Sequence, residues 1–393
     1  MIIKDIEAKR VNINGKDSIK IILKSEKSKY EAKIGVSKDS LYDKQVLEND
    51  ISSINKILRE KIKNMKIGNF EDLSKVHEIL SSNNIKVDSK SLICIESSIL
   101  KALSNNKIYN YFIPDIKIIP RPLGIIFGNS ATRPSSDFSQ VLIFCTETNK
   151  FEKAVNSIRR VQELLEKEVK KYDKDFRDEF NSEGALIANL TIFDSLDLIT
   201  RLCKQVSNEI GVKLNIGINF GSDNLYKDSL YNYKNYSNNE RQKSLSRKEQ
   251  IDFIKTLIER YNLFYIEDPL EKNDAKGYKE LRKKLICQII SNNSFENSLE
   301  SLNKISKLGY YNAVIMKLNR VKSLIDYKNI VNFAKEKNIK IISETSECEP
   351  DDEFLANFIV SMNIEIMKYG VYVKDKKVLE EIKKIESDIR EKK

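Results

Sequence analysis

LFYIEDP, residues 263–269, is a short apolar run that ends in two carboxylates and a proline. A run of that length bounded by a turn signal reads as a buried strand. The same pattern recurs along the second half of the chain. LNIGIN (214–219) stops at Asn219, ICQIISNN (286–293) at Asn292, and AVIMKLN (313–319) at Lys317. KIISETSE (340–347) carries Glu344 and IEIMKYG (364–370) carries Lys368. From Asn219 through Glu267 to Lys368 the intervals are 48, 25, 25, 27 and 24 residues, with helical stretches between. That is the rhythm of a (β/α) barrel, whose eight units share about 250 residues and whose active site gathers at the strand C-termini. Polar groups recurring at that one end mark an active site or its remains. Two of the six are asparagine.

Working outward, 393 residues exceed one ordinary core, so two domains are expected. Forty per cent hydrophobic and 32% charged residues are the proportions of a soluble globular protein. No apolar run reaches membrane-spanning length. Residues 1–10, MIIKDIEAKR, lack the basic-then-apolar layout of a secretory signal. The five cysteines (Cys94, Cys145, Cys203, Cys287 and Cys348) are scattered without C-x-x-C spacing, which predicts reduced thiols, a cytoplasmic setting and no zinc site. A formal charge of +10 could draw polyanions, but Lys is interleaved with Glu and Asp and no recognition motif is present. The expectation is a solvated basic surface with weak RNA or other polyanion contact at most.

Residues 1–35 alternate in three extended runs with Asn-Gly between the first two, which predicts an antiparallel meander. Residues 48–105 have helical periodicity. Together they make a small α+β domain over 1–116, with the barrel occupying 117–393. LGIIFGN and QVLIFCT are expected to pair as strands, with helices at 150–172 and about 193–209. Residues 226–248, rich in Asn, Tyr, Ser and Lys, are expected to form a long surface excursion whose aromatics could stack on a nucleic-acid base.

Taken together, this layout resembles the enolase (phosphopyruvate hydratase) family. MIIKDIEAK is similar to its first strand and NSEGALIANL (181–190) to its D-E-G-G-F-A-P-N-L loop. YIEDPLEKNDAKGY (265–278) is similar to I-E-D-P/G-L-x-E-D-D-W, QIISNN to Q-[IL]-V-G-D-D, and AVIMKLNRVKSL to A-[IL]-L-[IL]-K-x-N-Q-[IV]-G-T-L. ISETSECEPDDEFLANFIV stands where S-H-R-S-G-E-T-E-D is expected, and MKYG resembles a late K-T-G. The resemblance implies an enolase-type (β/α)8 TIM-like barrel behind a small α+β domain, and a cytoplasmic homodimer. The family reaction is a glycolytic lyase step, in which a small phosphorylated hydroxy acid, 2-phosphoglycerate, loses water over two Mg²⁺ ions.

By position the resemblance makes Lys317 the base and Glu183 the acid, with Lys368 aimed at the substrate carboxylate. Gln140, Ser346 and Glu267 fall at substrate-binding positions, and Asn219, Glu267 and Asn292 at the three metal ligands. Only Glu267 keeps a charge there, and Mg²⁺ prefers carboxylates. Glu344-Thr345-Ser346 replaces the phosphate-binding His-Arg-Ser, and Thr132 and Val141 replace a further His and Glu. Residues 35–42, GVSKDSLY, lack the family's glycine-rich lid, and the single histidine, His77, falls on a small-domain helix. An eroded Mg²⁺ and phosphate site implies lost or weak hydratase activity and a binding or regulatory role. Two readings stand beside it: an active Mg²⁺-dependent hydratase with an altered site, and a basic RNA-associated scaffold. If the metals are gone, Lys317 needs another counter-charge, and Glu267 is the expected partner.

Overall fold

The computed structural model describes residues 1–36, 42–112, 118–148, 150–284, 288–290, 295–346, 348–372 and 376–391, with backbone alone for 284 and 288–290. The first three strands, β1 (Ile3–Ile13), β2 (Lys16–Ser25) and β3 (Lys29–Lys33), form an antiparallel meander. Its first turn is the two-residue loop Asn14-Gly15, with Ile13 opposite Lys16 and both loop residues at positive φ (50° and 82°). Asn and Gly tolerate that conformation, which matches the right-handed twist of the paired strands. Helix Ser89–Ser104 covers the meander and buries Ile93, Cys94, Ile95 and Ile99.

The barrel begins with β4 (Arg121–Gly128) and β5 (Gln140–Cys145), which pair antiparallel as the sequence predicts. The two-residue β6 (Leu186–Ile187) lies beside β4. After β7 (Leu214–Asn219), residues 226–245 form three short antiparallel strands, β8 (Tyr226–Lys227), β9 (Leu230–Tyr233) and β10 (Lys243–Leu245). The long surface excursion is thus present, mostly exposed, and carries a small sheet of its own. Tyr231 and Tyr233 are buried, and Tyr233 donates to Gln250 Oε1 (2.8 Å), so these two rings are packing elements rather than base-stacking platforms.

The remaining strands are β11 (Tyr265–Glu267), β12 (Gln288–Ile290), β13 (Ala313–Met316), β14 (Lys340–Glu344) and β15 (Ile366–Gly370). They run parallel in chain order, and β15 pairs with β4 to close the sheet. Helices Ile192–Ile210, Arg247–Tyr261, Leu299–Leu308 and Leu324–Glu336 pack between strands and start on side-chain caps from Thr191, Ser246, Ser298 and Ser323. No described helix is long and apolar enough to cross a membrane.

Side-chain alternation gives the barrel two cores. One lies between sheet and helices; the other, inside the barrel, joins Leu142, Tyr265, Ile315, Ile342 and Ile366. Each of these five is two residues from Gln140, Glu267, Lys317, Glu344 or Lys368 respectively, so an apolar layer supports a polar one.

The two domains are bolted through a buried carboxylate. Glu96 accepts from His77 Nε2 (2.7 Å) and from the backbone N–H of Leu324 (2.6 Å), the first residue of a barrel helix. The hydrogen bond to Glu96 raises the His77 imidazolium above its ordinary value, against the opposing effect of partial burial. A raised folded value means that the stability contributed by this pair is fully present below about pH 6.5. That contribution is lost as pH rises through the folded value. The melting temperature of the wild type should fall over this interval more steeply than that of His77→Gln, in which the Glu96 carboxyl, raised by burial, still titrates. Parallel thermal melts across the pH series check it.

Candidate active site

Three residues share one row across the barrel mouth. Asn219 ends β7, Glu267 ends β11, and Gln140 opens β5, whose reversed direction brings its first residue to the same end. The register pairs Asn219 with Glu267 on one side and with Gln140 on the other. On the opposite wall Glu344, the last residue of β14, pairs with Lys368 of β15. Lys317 follows β13 directly, and its backbone N–H donates to Asn297 Oδ1 (2.8 Å). Glu183 reaches the mouth from the 181–185 loop. Gly370 permits that approach, because a Cβ there would lie 2.2 Å from the Glu183 carbonyl oxygen.

These side chains form one continuous chain of polar contacts. Lys317 Nζ pairs with Glu344 (3.3 Å), and Glu344 pairs with Lys368 Nζ (3.4 Å). Lys368 Nζ crosses the barrel to both oxygens of Glu267 (2.8 and 3.1 Å). Asn219 Nδ2 donates to Glu267 Oε1 (2.9 Å) and Tyr265 Oη to Glu267 Oε2 (2.5 Å). Asn219 Nδ2 also contacts Gln140 Oε1 (3.4 Å), and Gln140 Nε2 donates to Glu183 Oε2 (2.5 Å). Lys368 and Glu267 are both 0% exposed. Ionised groups at such depth persist only when paired and hydrogen-bonded.

The electrostatics follow from that geometry. Burial raises the Glu267 carboxyl, the Lys368 ammonium opposes it, and Glu344 adds to the rise, leaving a net upward shift. Burial also pushes Glu344 upward, but Lys317 and Lys368 together outweigh it and hold its carboxyl below the ordinary value. Burial would lower the Lys368 ammonium; attraction from Glu267, Glu344 and Glu183 reverses that and holds it above. Within this network two ammonium groups face three carboxylates (Glu183, Glu267 and Glu344), a formal charge of −1.

The structure corrects one expectation. The counter-charge of Lys317 is Glu344, and Glu267 is taken by Lys368. Strand position is the reason: β13 neighbours β14, whereas β11 faces β15 across the lumen.

The resemblance implies Mg²⁺ on Asn219, Glu267 and Asn292, and the donor set can be tested against it. Asn292 lies outside the described residues. A carboxylate offers about four lone-pair directions, and four donor contacts already converge on Glu267. Asn219 turns its amide N–H to Glu267, and its oxygen accepts from Gly221 N–H (2.9 Å). Asp268, the adjacent carboxylate, is buried just past the strand in left-handed backbone (φ 43°). Among the described residues, no three His, Cys, Asp or Glu side chains are grouped to hold an ion. A hard dication requires oxygens turned towards it; this arrangement turns them to an ammonium, an amide and a hydroxyl. As arranged here, the described residues of that set do not fit Mg²⁺.

The anion position is also internally engaged. Ser346 donates from both its backbone N–H (2.9 Å) and its hydroxyl (2.8 Å) to Glu349 Oε2. The space between Ser346, Asn319 and Gly35 is about 10 Å³, no more than one water needs. Tyr265 and Glu349 are site residues that sequence reasoning missed. Signals for both exist: Tyr265 is two residues before Glu267 on the same strand face, and Ser346–Glu349 is an S-x-x-E spacing.

With this geometry established, comparison places the chain among known proteins. The family described as "Enolase, C-terminal TIM barrel domain" matches residues 116–393. The chain is similar to the enolase of Methanosphaera stadtmanae, 26% identical over 86% of this chain and 84% of that protein. It is 24% identical to the enolase of Picrophilus torridus over 86% of this chain and 85% of that protein. With the enolase of Archaeoglobus fulgidus it shares 29% identity, over 65% of this chain and 62% of that protein.

Truncating one partner of a buried ion pair strands the other charge, at a cost of about 3–5 kcal/mol. Lys368→Met should therefore lose stability of that order in urea unfolding. The double variant Lys368→Met/Glu267→Leu should recover most of it. A single-variant loss under about 1 kcal/mol, the range of an exposed pair, would contradict the network.

Proposed function

We propose that this chain, which belongs to the enolase family, has given up dehydration of 2-phosphoglycerate and serves a binding or regulatory role. The observation that carries this reading is the Lys368–Glu267 contact, which places a fixed organic cation on the one retained metal-ligand carboxylate. The proton to be removed in the family reaction is next to a carboxylate that is already anionic. Its removal needs strong cationic stabilisation of the resulting ene-diolate. Two ammonium groups already neutralised by Glu267 and Glu344 cannot supply that.

Substrate charge argues in the same direction. A phosphate dianion joined to a carboxylate would meet a network of formal charge −1, with Glu344 where the resemblance places a phosphate-binding histidine. Like charges close together in a site of low dielectric repel strongly. The hydroxyl and amide of Ser346, anion donors at that position, hold Glu349.

Phosphoenolpyruvate formation, followed by ultraviolet absorbance with millimolar Mg²⁺, tests the reading. Wild type and Lys317→Ala should both match the buffer rate, and Mg²⁺ with 2-phosphoglycerate should leave the melting temperature unchanged. Turnover in the ordinary enzyme range of about 1–10³ s⁻¹, abolished by Lys317→Ala, would overturn it. So would a ligand-induced rise in melting temperature.

A further inference from the structure

Beside the ion-pair network, and sharing no residue with it, is a cleft of about 610 Å³. Its walls are the 129–139 loop that follows β4, the start of the β7–β8 connection, and β9 with the residues after it. That volume suits a small ligand. The lining selects among ligand classes by what it offers and what it withholds.

Formal charge at the wall is largely compensated internally. Arg133 is ion-paired with Glu179 (3.1 Å) and donates from one terminal nitrogen to the Ile187 carbonyl (2.7 Å), while its buried Nε makes no hydrogen bond among the described residues. Asp137 accepts from the backbone N–H groups of Lys234 (2.9 Å) and Asn235 (2.7 Å). Lys234 is the other charged side chain at the wall, and it is exposed. An anion would thus find a guanidinium already ion-paired with Glu179, one solvated ammonium and a neighbouring carboxylate, which is a poor phosphate site. No aromatic side chain lines the cleft among the described residues, so a nucleobase has no ring to stack on. The apolar lining is small, namely Ala131, Pro134 and Leu225.

What remains is neutral hydrogen-bonding capacity. The carboxamides of Asn129 and Asn224 and the hydroxyl of Ser139 line the cleft and make no side-chain hydrogen bond within the described residues. Asn189 commits its oxygen to Asn235 Nδ2 (2.9 Å) and keeps its own amide N–H free of protein acceptors there. A carboxamide presents donor and acceptor side by side, the complement of adjacent hydroxyl groups. We infer that this cleft binds an uncharged, hydroxyl-rich small molecule of the sugar or polyol class through Asn129, Ser139, Asn189 and Asn224.

Saturation-transfer NMR on the full chain tests this with glycerol, D-glucose and myo-inositol as neutral probes. Inorganic phosphate, read by a thermal shift, and adenosine monophosphate serve as charged ones. At least one neutral probe should show transfer, and its affinity should fall about tenfold in Asn129→Leu/Asn224→Leu, the effect of losing two ordinary hydrogen bonds. The melting temperature of that variant should match wild type, and Ser139→Ala provides an independent, milder loss. Silence from every neutral probe, equal transfer in wild type and variant, or tighter binding of a charged probe would each overturn the inference. Because the cleft and the network have no residue in common, measurable phosphoenolpyruvate formation would sink the proposed function and leave this inference standing. Lack of polyol binding would do the reverse.

Discussion

The contact between the Lys368 ammonium and the Glu267 carboxylate governs the interior of this barrel. Both groups are wholly buried, on strands that face one another across the lumen. Neither could remain ionised there alone, because the desolvation cost of an unpaired buried charge is prohibitive. Glu344 extends the pair to Lys317, and Asn219 and Tyr265 fill the other acceptor directions of Glu267. The polar layer therefore supplies its own counter-charges, although Glu344 Oε2 is ion-paired to Lys317 without a hydrogen bond among the described residues. Amines, an amide and a phenol hold its carboxylates.

The layer depends on the apolar one beneath it. Period-two alternation puts Tyr265, Ile315, Ile342 and Ile366 one step below Glu267, Lys317, Glu344 and Lys368 on the same strands. Slipping any strand by one residue would move its charged group out into the packing between sheet and helices. The fold thus fixes the network, and the network in turn supplies the counter-charges that allow the fold to bury two lysines. The link to the small domain follows the same rule. Glu96, buried in that domain, is satisfied by His77 and by a barrel backbone N–H.

Much of this architecture was legible from residue order. Six apolar runs ending in polar groups gave the strand rhythm, Asn14-Gly15 gave the first hairpin, and QVLIFCT gave the paired second barrel strand. Site residues were legible as positions, because strand C-termini converge in a barrel whatever their chemistry. Partners were less so. Which carboxylate meets which lysine depends on strand order around the barrel and on side-chain reach, so sequence position alone points Lys317 to Glu267 although its partner is Glu344. The 226–248 segment is the long surface excursion that its composition implies, but composition does not show the strands within it. Alternate tyrosines, Tyr231 and Tyr233, turn inward and build a small sheet. The engagement of Ser346 by Glu349 is a local turn whose spacing is common in proteins and carries little weight until the backbone is seen.

The central claim is that organic donors occupy the place of a metal ion around Glu267. Electron paramagnetic resonance of Mn²⁺, a spectroscopic stand-in for Mg²⁺, tests this most directly. Adding the wild-type protein to a Mn²⁺ solution should leave the free-ion signal at full intensity. A stoichiometric loss of that signal, restored by Glu267→Gln, would show a cation seated on Glu267 and contradict the account.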